Sequence, residues 1–320
     1  MLLLVLKRLG GGLVSLLVVS VLIFAGTNLL PGDPAVAILG KSATPERTEA
    51  LRESLNLDES VVSRYVEWLG GVARGDFGTS LTQGVGSFTE SGGTGTPVNE
   101  LIGPALGNTA ILASISLALL VVASLLIGTV SALRRGSGLD TVLQVAMLVC
   151  IALPEFVLGA ILIILFGFVW PILPAVSVSV TPEALVLPVA TLVLGMLGVT
   201  ARLVRVGVIE VLDTNYVATA RLRGVPEARV IRHHVLPNAL GPSLQSLAIA
   251  TGIFVGGVVV IEYLFGYPGI GTGFVSAVAG RDYPVVQAYT LILAGAYIVA
   301  NVVADTITTL ANPRLRTGLT

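Results

Sequence analysis

Residues 216–242 read YVATARLRGVPEARVIRHHVLPNALGP, a basic, hinged insert between two segments that are almost wholly apolar. The insert carries Arg221, Arg223, Arg229 and Arg232 together with both histidines of the chain, His233 and His234. A helical pattern enters from upstream through Val208, Ile209, Val211 and Leu212 and continues through Tyr216, Val217 and Ala220. Gly224 then offers a C-terminal cap, because glycine takes the left-handed conformation without steric cost. Pro226 begins a second helix at its first turn, with Glu227 near the positive end of the dipole. Arg229 and Arg232 share a face at i, i+3, while Val230, Ile231, Val235 and Leu236 form an apolar strip. Pro237 and Pro242 are expected to stop that helix. The product is a helix, a sharp turn and a short amphipathic helix. From spacing alone, a protein-docking surface and a lipid-binding helix fit equally well, since both use an amphipathic face. A purely topogenic basic loop would need neither a hinge nor two faces. A nucleic-acid patch fits poorly, because aromatic interleaving is missing.

What flanks the insert decides its setting. The chain has 320 residues, 54% hydrophobic and only 12% charged, against roughly 25% charged in an ordinary soluble domain. Its apolar residues fall in runs long enough to cross a bilayer, which takes about 20 residues per helix. Six spans emerge: Leu9 to Leu30, Thr109 to Leu133, Val142 to Trp170 with Pro154 inside it, Ala184 to Val204, Leu244 to Phe265, and Val285 to Leu310. The fold class expected is an all-α integral membrane protein with a first segment over residues 1–30, an outer loop over 31–108 and a core over 109–310. That core includes a cytoplasmic coupling region, residues 205–243, and a short tail follows at 311–320. A cleaved signal peptide is the competing reading of the first span. Its apolar run exceeds the usual 7–15 residues or so of such a leader, which favours an uncleaved span.

Lysine and arginine near the span ends set the orientation. With the N-terminus inside, the inner segments hold Lys7, Arg8, Arg134, Arg135, Arg202, Arg205, Arg221, Arg223, Arg229, Arg232, Arg314 and Arg316. The outer segments hold Lys41, Arg47, Arg52, Arg64, Arg74 and Arg281, five of them in one long loop where the rule has little force. Both termini and the basic insert are therefore expected in the cytoplasm. In the outer loop, Pro45 to Leu69 has the pattern of amphipathic helix, and Thr82 to Pro97 is rich in Gly, Ser and Thr. A cap on the outer mouth is the expected arrangement. Catalysis there does not fit, because the loop has neither His nor Cys.

Polar residues at membrane depth each need an account, since a charge there costs about 2.5–3.5 kcal/mol on insertion scales. Glu155 follows Pro154 at a kink that exposes backbone groups, and both a cavity-lining and a hydrogen-bonded structural role fit. Asn301 and Asp305 lie one helical turn apart and favour a structural pair near the inner interface. Glu262 stands at the outer end of the fifth span as a gate candidate. Gly252 and Gly256 satisfy G-x-x-x-G, a weak signal for close helix packing against a partner subunit. His233 and His234 are adjacent and cannot share a metal as an i, i+4 pair does. The lone Cys150 lies in an apolar run, so no disulfide or cysteine metal site forms within the chain.

At this point the insert resembles the cytoplasmic motif of importer-type permease subunits of ATP-binding-cassette transporters, which reads E-A-A, three residues, G, nine residues, then I-x-L-P. Ala218-Thr219-Ala220 stands at the triplet, Gly224 at the glycine, and His234-Val235-Leu236-Pro237 at the end. Ala218 for Glu and His234 for Ile depart from the pattern. Further blocks resemble the first, B-type permease of the dipeptide/oligopeptide/nickel branch. They are Pro31-Gly32-Asp33-Pro34-Ala35, Gly75-Asp76-Phe77-Gly78-Thr79-Ser80 and Asn108-Thr109, and then Glu262 to Gly271, Arg281 to Gln287 and Asn301 through Asp305 to Arg314. Asn312 stands where that family usually has Asp.

The resemblance implies a type I importer permease with a coupling helix from about Val225 to Pro237, docked on a separate ATPase subunit. Ala218, Ala220, Gly224, Pro226, Glu227, Arg229, Arg232, His234, Leu236 and Pro237 would form that coupling surface. It implies a second, C-type permease, two cytoplasmic ATPase subunits, an external solute-binding protein and membrane lipid as partners, with no nucleic acid. The cargo would be a di- or oligopeptide, with nickel or a sugar as alternatives within the family. A phosphate-binding G-x-x-x-x-G-K-[ST] loop is missing from the sequence, so ATP hydrolysis is assigned to a partner and neither cofactor nor metal is expected. Two other classes fit less well. An ion-coupled secondary transporter would show inverted repeats, and an intramembrane enzyme would show H-E-x-x-H or G-x-S-x-G; no matched repeat and neither motif occurs.

Overall fold

The computed structural model describes residues 2–28, 44–54, 59–82 and 96–311. The Pro31–Ala35 block, the glycine run at 92–95 and Asn312 to Arg314 therefore lie outside the described residues. Among the described residues, twelve α-helices follow one another: α1 Leu2–Asn28, α2 Pro45–Ser54, α3 Val61–Ala73, α4 Val98–Leu133, α5 Gly138–Ala152, α6 Glu155–Leu162, α7 Pro182–Leu212, α8 Asn215–Leu222, α9 Glu227–Val230, α10 Leu236–Phe265, α11 Ile270–Gly280 and α12 Tyr283–Ala311. Four are long and apolar enough to cross a membrane, and up to six spans result if each of two bent pairs counts as one. Their outward faces carry large apolar side chains, such as Leu13, Leu22, Val122, Leu126 and Val299, as a bilayer-facing surface requires.

Two compact units share the chain: residues 1–109 with 268–296, and residues 110–267 with 297–320. In the first, α3 lies against α1. Ser60 caps α3 by accepting from the Ser63 N–H at 3.1 Å. Phe24 of α1 meets Tyr65 edge-on at 5.4 Å and Trp68 at 5.5 Å, and Ser20 Oγ bonds the Tyr65 hydroxyl at 2.8 Å. Aromatic pairs of this kind stabilise by about 0.5–1.5 kcal/mol beyond their buried area. The amphipathic stretch of the outer loop is thus helical in two pieces, α2 and α3, rather than one.

Two sequence blocks that stand far apart meet in this unit. Asp282, buried, accepts from Ser80 Oγ at 2.5 Å, from the Leu81 and Thr82 amides at 3.1 and 3.2 Å, and from Thr82 Oγ1 at 2.8 Å. A buried carboxylate needs this many donors to offset its desolvation. Asn108 Nδ2 donates to the Pro268 carbonyl at 2.7 Å, and Thr109 Oγ1 accepts from the Ile270 amide at 2.9 Å. The second span also begins well before Thr109, because α4 starts at Val98.

In the second unit, α7 is the central helix and packs against α5, α6 and α10. Its neighbours come close because glycines stand at the contacts. A side chain at Gly128 of α4 would strike the Ala201 carbonyl and Val204, and one at Gly198 would strike α5 at Met147. Small residues allow this approach, and dispersion then holds helices together where lipid supplies no hydrophobic drive. Ser124 and Thr200 add a buried hydroxyl pair at 2.6 Å. Gly256 of the G-x-x-x-G pair has open space around it, and the surroundings of Gly252 lie outside the described residues.

The third span is not a single kinked helix. Leu153 is extended (φ −97°, ψ 128°) before Pro154, and α5 and the helix that begins at Glu155 diverge by 106°. A residue preceding proline is pushed out of the α region, and the break leaves the last carbonyls of α5 without intrahelical donors. A π-helical stretch, Ile163–Val169, continues α6.

Candidate functional site

The central helix ends at Leu212, and Asp213–Thr214 separates it from α8. The expected unbroken helix through Ala220 is therefore two helices. Thr214 is extended (ψ 150°), and its hydroxyl bonds back to the Val211 carbonyl at 2.6 Å, a local bond that competes with helix continuation. After α8 the chain turns at Gly224, which has φ +76° and nothing within 4 Å of a would-be Cβ. Backbone conformation, not space, therefore calls for glycine there. The Gly224 amide donates to the Arg221 carbonyl at 2.9 Å and the Val225 amide to the Ala220 carbonyl at 3.2 Å.

Pro226 (φ −55°, ψ 137°) is the cap residue rather than the first helical one, and α9 starts at Glu227. Across the turn, Arg221 grips Glu227 twice, Nε to Oε2 at 3.1 Å and Nη2 to Oε1 at 2.6 Å. The guanidinium fork matches a carboxylate in this geometry. Hydrogen bonding to Arg221 holds the Glu227 carboxyl below its ordinary range and pushes the Arg221 guanidinium up. Sequence reasoning missed this clamp, since a six-residue separation matches no helical pairing.

Pro237 does not stop the helix. Chain passes from α9 through a π-helical turn, Ile231–Val235, straight into α10, with Pro237 in its first turn and Pro242 inside it. The Leu236 amide reaches the Ile231 carbonyl five residues back. That widened turn makes room for a proline ring that would clash in a tight α turn.

Half of the expected apolar strip is fully buried, Val230 and Val235, whereas Ile231 and Leu236 are partly so. Val217, Val230 and Val235 are completely buried against Val204 and Val208, with Ala220 partly buried beside them. Ala218, Arg223, Gly224, Pro226, Glu227, Arg229, Arg232 and Pro237 are exposed, while His234 and Leu236 are half-buried. Leu222 stands 88% exposed at the tip. The His234 carbonyl accepts from Asn238 Nδ2 at 2.7 Å and from the Tyr216 hydroxyl at 3.4 Å, so both helices of the hairpin are tied at its base.

A buried ion pair lies in the bundle on the helix that leads into this hairpin. Asp140 takes Arg205 Nε at 3.0 Å and Nη2 at 2.9 Å, Ser131 Oγ at 2.6 Å and the Gly136 amide at 3.0 Å. Arg205 thus fastens α7 to the turn between α4 and α5, beyond any part in setting orientation. Ser137 capping α5 through the Asp140 amide was the one local hint of it.

The pathway and gate candidates separate by environment. Glu155 is half-buried at the first position of α6, with its carboxylate against Gly195 of α7 and Gly257 of α10. Glu262 is wholly buried, and its carbonyl accepts from the Tyr267 amide at 2.8 Å. Asn301 Nδ2 bonds the Tyr297 carbonyl at 2.8 Å within its own helix. The Asp305 side chain lies outside the described residues. Among the described residues, no three or more of His, Cys, Asp and Glu gather as metal ligands do.

A polytopic helical bundle bearing a clamped amphipathic hairpin defines the class: a multi-pass membrane permease. Residues 1–113 match the model of the N-terminal binding-protein-dependent transport system membrane component, and residues 124–317 match the binding-protein-dependent transport system inner membrane component. The chain belongs to that family, as an importer permease of the ATP-binding-cassette peptide/nickel type in the cell membrane. It is 36% identical over 318 residues to the metal-staphylopine import system permease protein CntB of Staphylococcus aureus. It is 33% identical over 319 residues to the probable peptide ABC transporter permease protein y4tP of Sinorhizobium fredii, and 34% over 312 residues to the glutathione transport system permease protein GsiC of Salmonella choleraesuis. Each alignment covers 98% of both chains. A solved amino acid ABC transporter with histidines shares 18% identity at a TM-score of 0.49, over 68% of this chain and 94% of that one.

Proposed function

We propose that the chain carries a peptide or peptide-like solute across the membrane, and that the Arg221–Pro237 hairpin docks a separate ATPase subunit that drives it. The observation carrying this reading is the sidedness of the hairpin, with three valines buried beneath and an exposed leucine tip beside a basic face. An apolar anchor ringed by polar groups is how a helix engages a groove. The rest of the assembly is a second permease subunit, paired with this one, a second ATPase subunit and an external solute-binding protein. Both termini and the hairpin lie in the cytoplasm, and ATP is hydrolysed by the partners. Glu155 is the pathway candidate preferred here, because Glu262 is enclosed and Asn301 is bonded within its own helix.

A metal complex of the kind in that relative's name is the second cargo reading, favoured by the match to a metal-staphylopine import permease. The test is co-expression with a co-encoded ATPase, permease and binding protein, followed by uptake into proteoliposomes. ATP-dependent accumulation of the ligand held by the binding protein is expected. Uptake driven by an ion gradient with no ATPase present would overturn the reading.

A further inference from the structure

Glu155 is a carboxylate at membrane depth that makes no hydrogen bond or ion pair among the described residues. Two glycines on two different helices stand where its side chain passes. A Cβ at Gly195 would lie 2.6 Å from Glu155 Cγ, and one at Gly257 would collide with its Oε2. Two buried acids, Asp140 and Asp282, contrast with it, since each takes four hydrogen bonds. A structural carboxylate is satisfied in this way; Glu155 is not.

Its position adds to the case. It opens α6 just after the 106° break, at the helix's amino-terminal end. The carbonyl end of α5 lies one residue before Pro154 and presents acceptors without intrahelical donors. Broken helices that expose carbonyls beside an acid form cation sites in membrane carriers. We infer that Glu155, with the end of α5, binds the protonated amino group of the cargo inside the membrane. This rests on the reading of the chain as a peptide-type importer permease and names the chemistry of its intramembrane site.

The test uses the assembled transporter in nanodiscs. Dicyclohexylcarbodiimide labelling of Glu155 is followed by mass spectrometry with alanyl-alanine, with N-acetyl-alanyl-alanine, or with sodium chloride alone. Slower labelling with the free-amine dipeptide only is the expected result. In proteoliposomes, Glu155→Gln should lower ATP-driven alanyl-alanine uptake by about tenfold or more, as loss of a charge-assisted bond implies, with partial recovery in Glu155→Asp. Equal labelling in all three conditions, no labelling of Glu155 in any, or protection by sodium alone overturns the inference. Wild-type uptake without protection sinks the amine site and leaves the importer reading standing. Protection without ATP-driven uptake does the reverse.

Discussion

At Gly224 the backbone alone sets the residue. The position is left-handed with open space around it, so any side chain would fit but would carry a backbone penalty of roughly 1–2 kcal/mol. Gly224→Val is therefore expected to leave expression intact while releasing the hairpin from its geometry. ATP-driven uptake should fall severalfold, whereas ATP hydrolysis by the assembled complex should fall less; matched losses would count against a coupling role. The Arg221–Glu227 clamp gives a pH expectation. The Glu227 carboxyl is depressed in the folded hairpin, so its contribution is present above the unfolded carboxyl range, near pH 4.3 or so. It is lost as pH falls through the folded value. Protection against hydrogen exchange at residues 221–227, taken relative to the intrinsic rate at each pH, should hold steady from neutral pH to about pH 5 and fall only below it. Glu227→Gln should remove that dependence. Because the pair is exposed, its effect on stability is expected to be small.

Among the elements, one buried ion pair adds to the glycine-mediated packing of α5 on α7. Arg205→Ala would strand Asp140 without its counter-charge, a loss of about 3–5 kcal/mol for buried pairs. A lower thermal unfolding temperature in detergent is the readout, and Asp140→Asn in the same background should recover part of it. The break between α5 and α6 makes a different prediction. Gly195→Ala and Gly257→Ala each place a methyl group where the Glu155 side chain lies, so each should displace it. Uptake should drop in both with the assembled complex still recovered in normal yield by size-exclusion chromatography. Unchanged uptake in both would mean that the carboxylate niche is not used in transport.

Across the whole molecule, permease and motor are expected to be separate. The purified chain should show no ATP hydrolysis, and a co-expressed ATPase should co-purify with it through the hairpin; hydrolysis by the chain alone would refute that division. The apolar runs, the charge bias and the ordered sequence blocks made a multi-pass importer permease legible in the amino-acid order, because span length and hydrophobicity are local properties. Local too were the left-handed turn at Gly224 and the buried valine strip beneath it, since periodicity and glycine chemistry act over a few residues. The end of the central helix at Leu212 and the π turn that carries the chain past Pro237 were not legible, and at Pro154 the kink was legible but not its 106° size. Each depends on how a proline or threonine is accommodated by its neighbours. Tertiary structure alone decided which acids are satisfied: Asp140 by Arg205, 65 residues away, and Asp282 by Ser80 to Thr82, some 200 away. Glu155 is set apart for the same reason, because the glycines that make room for it lie on two other helices. A carboxylate's partners are fixed by packing, and packing between distant segments leaves no periodic trace along the chain.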